Sequence, residues 1–173
     1  MTDNILILCS DQPYQAVAAD VAKRFGEDLG LVQTFIEMKD EKVSGGRVEE
    51  QRDLGGTIFE TFDEPIFVGA AVAQLAGHCD VVVLDHLMSW ARRLLERFPD
   101  NEVELDAEIS SVRSVLAAHM TGLVLVAGAH EGTQAEKALH QRLIDEFSNT
   151  CDSVIDASGG CTELVRGEMP ESD

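Results

Sequence analysis

Two observations predict an α/β fold in which a mostly parallel sheet is flanked by helices. Short runs of Val, Ile and Leu are apolar at nearly every position, as strands covered on both faces must be. Helical patterns alternate with these runs, which is the order of a doubly wound domain. Because 173 residues suffice for one substantial core, we expect a single domain over residues 1–167 and a frayed tail over 168–173.

The predicted elements follow directly from these patterns. Apolar runs predict four central strands, a weaker fifth and an edge strand: Ile5–Cys9, Val32–Ile36, Val81–Leu84, Leu123–Ala127, Ser153–Ile155 and Glu163–Val165. Helices are predicted at Tyr14–Phe25, Pro65–Ala76, Leu87–Phe98, Leu105–His119 and Thr133–Phe147. The segment 39–63 is charged, contains two glycine pairs and has few apolar anchors. We expect it to be an exposed helix or loop excursion that serves a site or a subunit contact.

Charge and cysteine content restrict the class of protein. The formal net charge of −19 disfavours nucleic acid and anionic membranes as partners, because both are polyanions. The residues before Ile5 form no basic region, so we expect no signal peptide and a cytoplasmic protein. The four cysteines form no Cys-x-x-Cys pair and no zinc spacing, which favours reduced thiols in or near the core.

Three segments, in order along the chain, carry a resemblance to a known family. The first is RVEEQRDLGGTIFETFDEP, in which Arg47, Val48, Arg52, Phe59, Thr61, Glu64 and Pro65 fit the family's spacing. The second is VVVLDHLMSWARRLL, with Asp85, Leu87, Trp90, Leu94 and Leu95, and the third is LVLVAGAHEG, with Glu131. On these residues the chain resembles the bifunctional adenosylcobinamide kinase / adenosylcobinamide-phosphate guanylyltransferase family of cobalamin biosynthesis.

The resemblance implies a P-loop NTPase-like (RecA-like) domain that assembles as a homo-oligomer, a trimer in the family. It also implies two activities: a kinase step that uses a nucleoside triphosphate, and GMP transfer through a guanylylated histidine. A corrinoid and a nucleotide are therefore the ligands to consider. GTP or ATP with magnesium would be needed if the family activity survives.

Both catalytic motifs of the family depart from its pattern here. The phosphate-binding lysine falls on Gln15 and the magnesium-binding hydroxyl on Ala16, so the cation and the metal ligand are both missing. The loop also contains Ser10 and Asp11 in place of a glycine-rich turn, and Asp11 equally fits an ordinary helix N-cap. The family's nucleophilic histidine falls on Gln51, whose amide cannot form a phosphoramidate.

A few residues remain as candidates for chemistry. Asp85 and His86 follow a predicted strand, where α/β proteins place functional groups, and are the catalytic candidates. Asp85 and Glu131 are the metal candidates, and Glu131 with His130 is expected to approach Asp85 from the next strand. Arg47 and Arg52 are candidates for holding phosphates.

The sequence therefore favours a non-catalytic binding or regulatory paralogue that needs no cofactor. One alternative is an active adenosylcobinamide kinase/guanylyltransferase with an altered nucleotide site. Another is an unrelated α/β enzyme that uses Asp85, His86 and Glu131.

Overall fold

The computed structural model describes residues 3–9, 14–34, 48–54, 57–64, 66–157 and 163–167. Within these residues eight strands form one sheet and five helices pack on it. The strands are β1 (Asn4–Leu8), β2 (Leu29–Gln33), β3 (Val48–Leu54), β4 (Thr57–Asp63), β5 (Val81–Leu84), β6 (Gly122–Val126), β7 (Ser153–Asp156) and β8 (Glu163–Arg166). The helices are α1 (Tyr14–Lys23), α2 (Val68–Ala76), α3 (Leu87–Arg97), α4 (Glu102–Ala118) and α5 (Gln134–Thr150).

The sheet has the order β3-β4-β2-β5-β6-β1-β7-β8. The six strands from β4 to β7 in this order are parallel to one another, and β3 and β8 are antiparallel at the two edges. This arrangement confirms the predicted α/β fold with a mostly parallel sheet. The predicted edge strand near Glu163 is likewise found as β8, which pairs with β7.

Alternating residues of the central strands fill two separate cores. Leu6, Val82 and Leu125 point toward α2 to α5 and belong to the larger core. Their neighbours Ile7, Val83 and Val124 point toward α1 and belong to the smaller one. A strand that is apolar at every position is therefore explained by helices on both faces of the sheet.

The expectation of an exposed excursion at 39–63 is wrong for the residues described there. Residues 48–63 contain β3 and β4, and β4 pairs in parallel with β2 inside the sheet. Phe59 and Phe62 of β4 are 0% and 2% exposed, one in each of the two cores. Two aromatic side chains suffice to anchor this strand, because each buries a large apolar area.

Element boundaries differ from the predicted ones by a few residues. The second strand is Leu29–Gln33, which begins three residues before the predicted Val32–Ile36; Phe35 and Ile36 lie outside the described residues. Gly30 and Gln33 interrupt the apolar pattern without interrupting the pairing to β4 and β5. Cys9, Cys79 and Cys151 are buried free thiols, as expected; Cys161 and the tail 168–173 lie outside the described residues. None of the described helices combines the length and apolarity that crossing a membrane requires.

Candidate functional site at the carboxyl edge of the sheet

The carboxyl ends of the parallel strands meet along one edge of the sheet, and most of the predicted site residues follow these ends. Asp85 and His86 come directly after β5, and the connection 127–133 follows β6. Asp85 is 6% exposed, and its backbone N–H donates to the carbonyl of Val32 on the neighbouring strand. This edge is where open α/β sheets bind ligands.

Helix α1 begins at Tyr14, so Gln15 and Ala16 occupy its first turn, close behind β1. A strand followed by a helix is the order that surrounds a phosphate loop. Gln15 and Ala16 are the two residues that the sequence resemblance aligns with the lysine and the hydroxyl of that loop. Ser10, Asp11 and the proposed N-cap role of Asp11 lie outside the described residues.

The two arginine candidates fare differently from Asp85 and His86. Arg47 lies outside the described residues, whereas Arg52 belongs to β3 at the edge of the sheet. Five strand-to-strand intervals separate β3 from β1 in the sheet order, which at about 4.8 Å each amounts to about 24 Å. β3 therefore lies far across the sheet from β1, and the phosphate-holding role of Arg52 stays a prediction.

His86 is held as the N-cap of α3. Its Nδ1 accepts a hydrogen bond from the backbone N–H of Ser89 at 3.1 Å and lies 3.0 Å from the Ser89 hydroxyl. Burial, together with the charges of His140 and Arg92, lowers the pKa of His86 to about 4. The ring is therefore neutral at pH 7. Because Nδ1 accepts, the proton is assigned to Nε2, the nitrogen that lies against Gly128.

A second pair of histidines lies on the adjacent connection. His140 of α5 is 0% exposed, and its Nε2 is 2.8 Å from the carbonyl oxygen of Ala127, which can only accept. Burial lowers the pKa of His140, so its neutral ring carries the lone pair on Nδ1. That nitrogen lies 2.9 Å from Nδ1 of the exposed His130, which must donate. The Nε2 of His130 takes no part in this contact.

Arg92 of α3 fixes the loop that carries His130 and Glu131. Its Nε donates to Glu136 at 3.0 Å, and its guanidinium lies 3.7 Å from the Glu131 carboxylate. Glu136 also completes a capping box with Thr133 at the start of α5. The Glu131 carboxylate is thus paired with an arginine, and its role as a metal ligand with Asp85 stays a prediction. No sequence pattern signals the role of the buried His140, which lies on the apolar face of α5 with Leu143 and Phe147.

Several residues that carry the sequence resemblance have structural roles. The Trp90 indole is fully buried, donates to the carbonyl of Ile66 at 2.8 Å and stacks on Phe147. Glu64 is 5% exposed and accepts from the backbone N–H of Phe67 at 2.8 Å, just before α2.

Comparison with known proteins identifies the fold but no family. No protein-family model matches the chain. No curated protein matches it either. Among solved structures, the chain is similar to a KaiC-like protein from the hyperthermophilic archaeon Pyrococcus horikoshii, with a TM-score of 0.54 over 99% of this chain and 82% of that one. The chain has a P-loop NTPase-like, RecA-type fold. At 11% identity the similarity shows this fold alone.

In this P-loop NTPase-like fold the connection between β1 and α1 is the place of the phosphate loop. His130 follows β6, which lies directly beside β1 in the sheet order. Asp85 and His86 follow β5, which is one strand further from β1.

Proposed function

We propose that this protein is a diverged, non-catalytic relative of the adenosylcobinamide kinase/guanylyltransferase, acting as a binding or regulatory paralogue. The observation that carries the proposal is the first turn of α1, which presents Gln15 and Ala16 behind β1. A phosphate loop needs a lysine for the β and γ oxygens and a hydroxyl for magnesium at these places. A neutral amide and a methyl group supply neither.

The geometry of His86 supports the same proposal. A replacement nucleophile for GMP transfer would need a free lone pair aimed at the α-phosphate. The Nδ1 lone pair of His86 is used by Ser89, and its Nε2 carries the proton and lies against Gly128. His86 is accordingly a cap of α3 rather than a nucleophile.

A second candidate is the active enzyme with an altered nucleotide site, and one observation favours it. The hydrogen bond between the two Nδ1 atoms holds the ring of His130 against His140 and leaves its Nε2 outside that contact. Within this alternative Nε2 of His130 is the nucleophile: it attacks the α-phosphorus of GTP in the presence of magnesium and releases pyrophosphate. Arg52 contributes there from another copy of the chain, in a homo-oligomer such as the family's trimer.

The experiment that separates the two proposals is covalent labelling with GTP. The purified protein is incubated with magnesium and GTP labelled in the α-phosphate, then denatured and examined for retained label. The non-catalytic proposal expects no label in the wild type. Label that persists in His86→Asn and disappears in His130→Asn would overturn it in favour of the enzyme. Thermal unfolding of both variants verifies that each is folded.

A further inference from the structure

A cluster of three different metal-ligating side chains lies at the amino ends of β2 and β5, whereas the site described above lies at the carboxyl ends of the parallel strands. Glu60 is on β4, and His78 and Cys79 lie between α2 and β5. The Nε2 of His78 is 2.9 Å from Oε2 of Glu60, and the Cys79 thiol is 3.8 Å from the same oxygen. All three ligand atoms lie within 4.8 Å of one another.

The spacing of these atoms suits a tetrahedral ion. Zn²⁺ binds histidine nitrogen and carboxylate oxygen at about 2.0–2.2 Å and thiolate sulfur at about 2.3 Å, so neighbouring ligand atoms are about 3.3–3.7 Å apart. The contact between His78 and Glu60 is shorter than this by a few tenths of an ångström, and the contact of the thiol is nearly at this distance. His78 is on the surface, with 48% of its side chain exposed, so its ring can adjust and leave a fourth position to water.

The backbone around the cluster is fixed from several sides. The N–H groups of His78 and Cys79 both donate to the carbonyl of Leu75 at the end of α2, and the Thr121 hydroxyl donates to the carbonyl of Cys79. A Cβ at Gly30 would lie 3.1 Å from the thiol, so the glycine at this position of β2 leaves room for the sulfur. The ligands are thus preorganised by the fold, which lowers the cost of binding an ion.

The charge of the surroundings also favours a cation. The carboxylates of Glu60, Asp28 and Asp80 act electrostatically on the Cys79 thiol. A bound divalent ion would neutralise that charge, and it would replace the thiol proton, which leaves to solvent as the S–metal bond forms.

We propose that Glu60, His78 and Cys79 form a Zn²⁺ site that joins β4 to the connection before β5. The nitrogen, oxygen and sulfur donors select a borderline ion of this kind over Mg²⁺ or Ca²⁺, which prefer oxygen alone. The site is independent of the proposed function, because its residues lie at the amino ends of β2 and β5, whereas Asp85 and His86 follow the carboxyl end of β5.

The test uses the full chain, freed of metal with a chelator and titrated with Co²⁺ and then Zn²⁺. We expect one equivalent of Co²⁺ to produce a thiolate-to-cobalt charge-transfer absorption that one equivalent of Zn²⁺ removes. Cys79→Ser abolishes the absorption, whereas Cys151→Ser, which removes another buried thiol, retains it.

Two milder variants keep the proposal testable if Cys79→Ser fails to fold. His78→Gln and Glu60→Gln change partly exposed side chains, and each should weaken Zn²⁺ binding by at least about 100-fold, since the loss of even an outer partner costs 10–100-fold. Unchanged Zn²⁺ affinity in both variants would overturn the proposal. So would a wild type that binds Zn²⁺ only at millimolar concentration, because Glu60 and His78 would then form a surface ion pair and no more.

Discussion

At the scale of single residues, the site at the carboxyl edge depends on how three imidazoles are protonated. His86 and His140 are buried and neutral, and each uses its ring nitrogens to hold a neighbouring backbone group. His130 is exposed and makes its hydrogen bond to His140 through Nδ1. The local roles of these histidines follow from hydrogen-bond partners that no sequence pattern reveals.

The first prediction concerns acid stability. Because the folded-state pKa of His86 is lowered to about 4 from an ordinary value of about 6.5, only the unfolded state gains this proton as the pH falls between them. Because of His86, the free energy of unfolding should therefore fall by about 1–3 kcal/mol as the pH is lowered from 6.5 to 4. His86→Asn keeps a good N-cap but does not titrate. Urea unfolding across this pH range should show a smaller loss for the variant, and equal losses would contradict the assignment.

The second prediction concerns Gly128. Its φ of +76° is strained for other residues, and a Cβ would overlap the His86 imidazole. Gly128→Ala should lower the free energy of unfolding by about 1–3 kcal/mol. Gly77→Ala is the matched control, since Gly77 has helical dihedral angles and the nearest atom to its Cβ is 3.5 Å away. Equal effects of the two substitutions, measured by urea unfolding, would argue against this packing.

At the scale of elements, the β3–β4 hairpin is the part of the sheet that extends it beyond β2. Phe59 and Phe62 anchor β4 in the two cores, while β3 forms the edge. The hairpin also carries Arg52 and Glu60, one a residue of the sequence resemblance and the other a ligand of the proposed zinc site. Its anchoring therefore matters for both proposals.

The third prediction tests that anchoring. Phe62→Ala should lower the free energy of unfolding by about 3–5 kcal/mol, because it leaves a cavity next to Val32 and α2. Phe67→Ala removes the same group from a side chain that is 44% exposed and should cost much less. Similar urea midpoints for the two variants would show that β4 does not belong to the core.

These elements also show how far sequence reasoning reaches. The central strands are predictable because their burial on both faces leaves runs such as VVVL that have no polar interruption. The hairpin was missed because charged residues occupy four of the seven positions of β3 and two of the seven positions of β4, and only Phe59 and Phe62 signal burial. The proposed zinc ligands Glu60, His78 and Cys79 were missed because Glu60 and His78 are 18 residues apart in the sequence. Only the pairing of β4 with β2, and of β2 with β5, brings them together.

At the scale of the whole molecule, the chain has a P-loop NTPase-like fold, and our proposal is that it lacks the groups that bind a triphosphate. The strand order places β6 between β1 and β5, with the helix after β1 ready to present a phosphate loop. The net charge of −19 provides no general attraction for a nucleotide to offset the missing lysine. A fold of this kind can persist without its chemistry, since the packing of its cores does not depend on those two side chains.

The proposal that the chain binds no nucleoside triphosphate is tested by calorimetric titration of the wild type with Mg-GTP and Mg-ATP, beside a Gln15→Lys/Ala16→Ser variant. We expect no measurable heat of binding for the wild type. Binding by the variant would show that the backbone of the loop is still competent and that the two side chains are what is missing. Micromolar binding of either nucleotide by the wild type would contradict the non-catalytic proposal and favour the active kinase/guanylyltransferase.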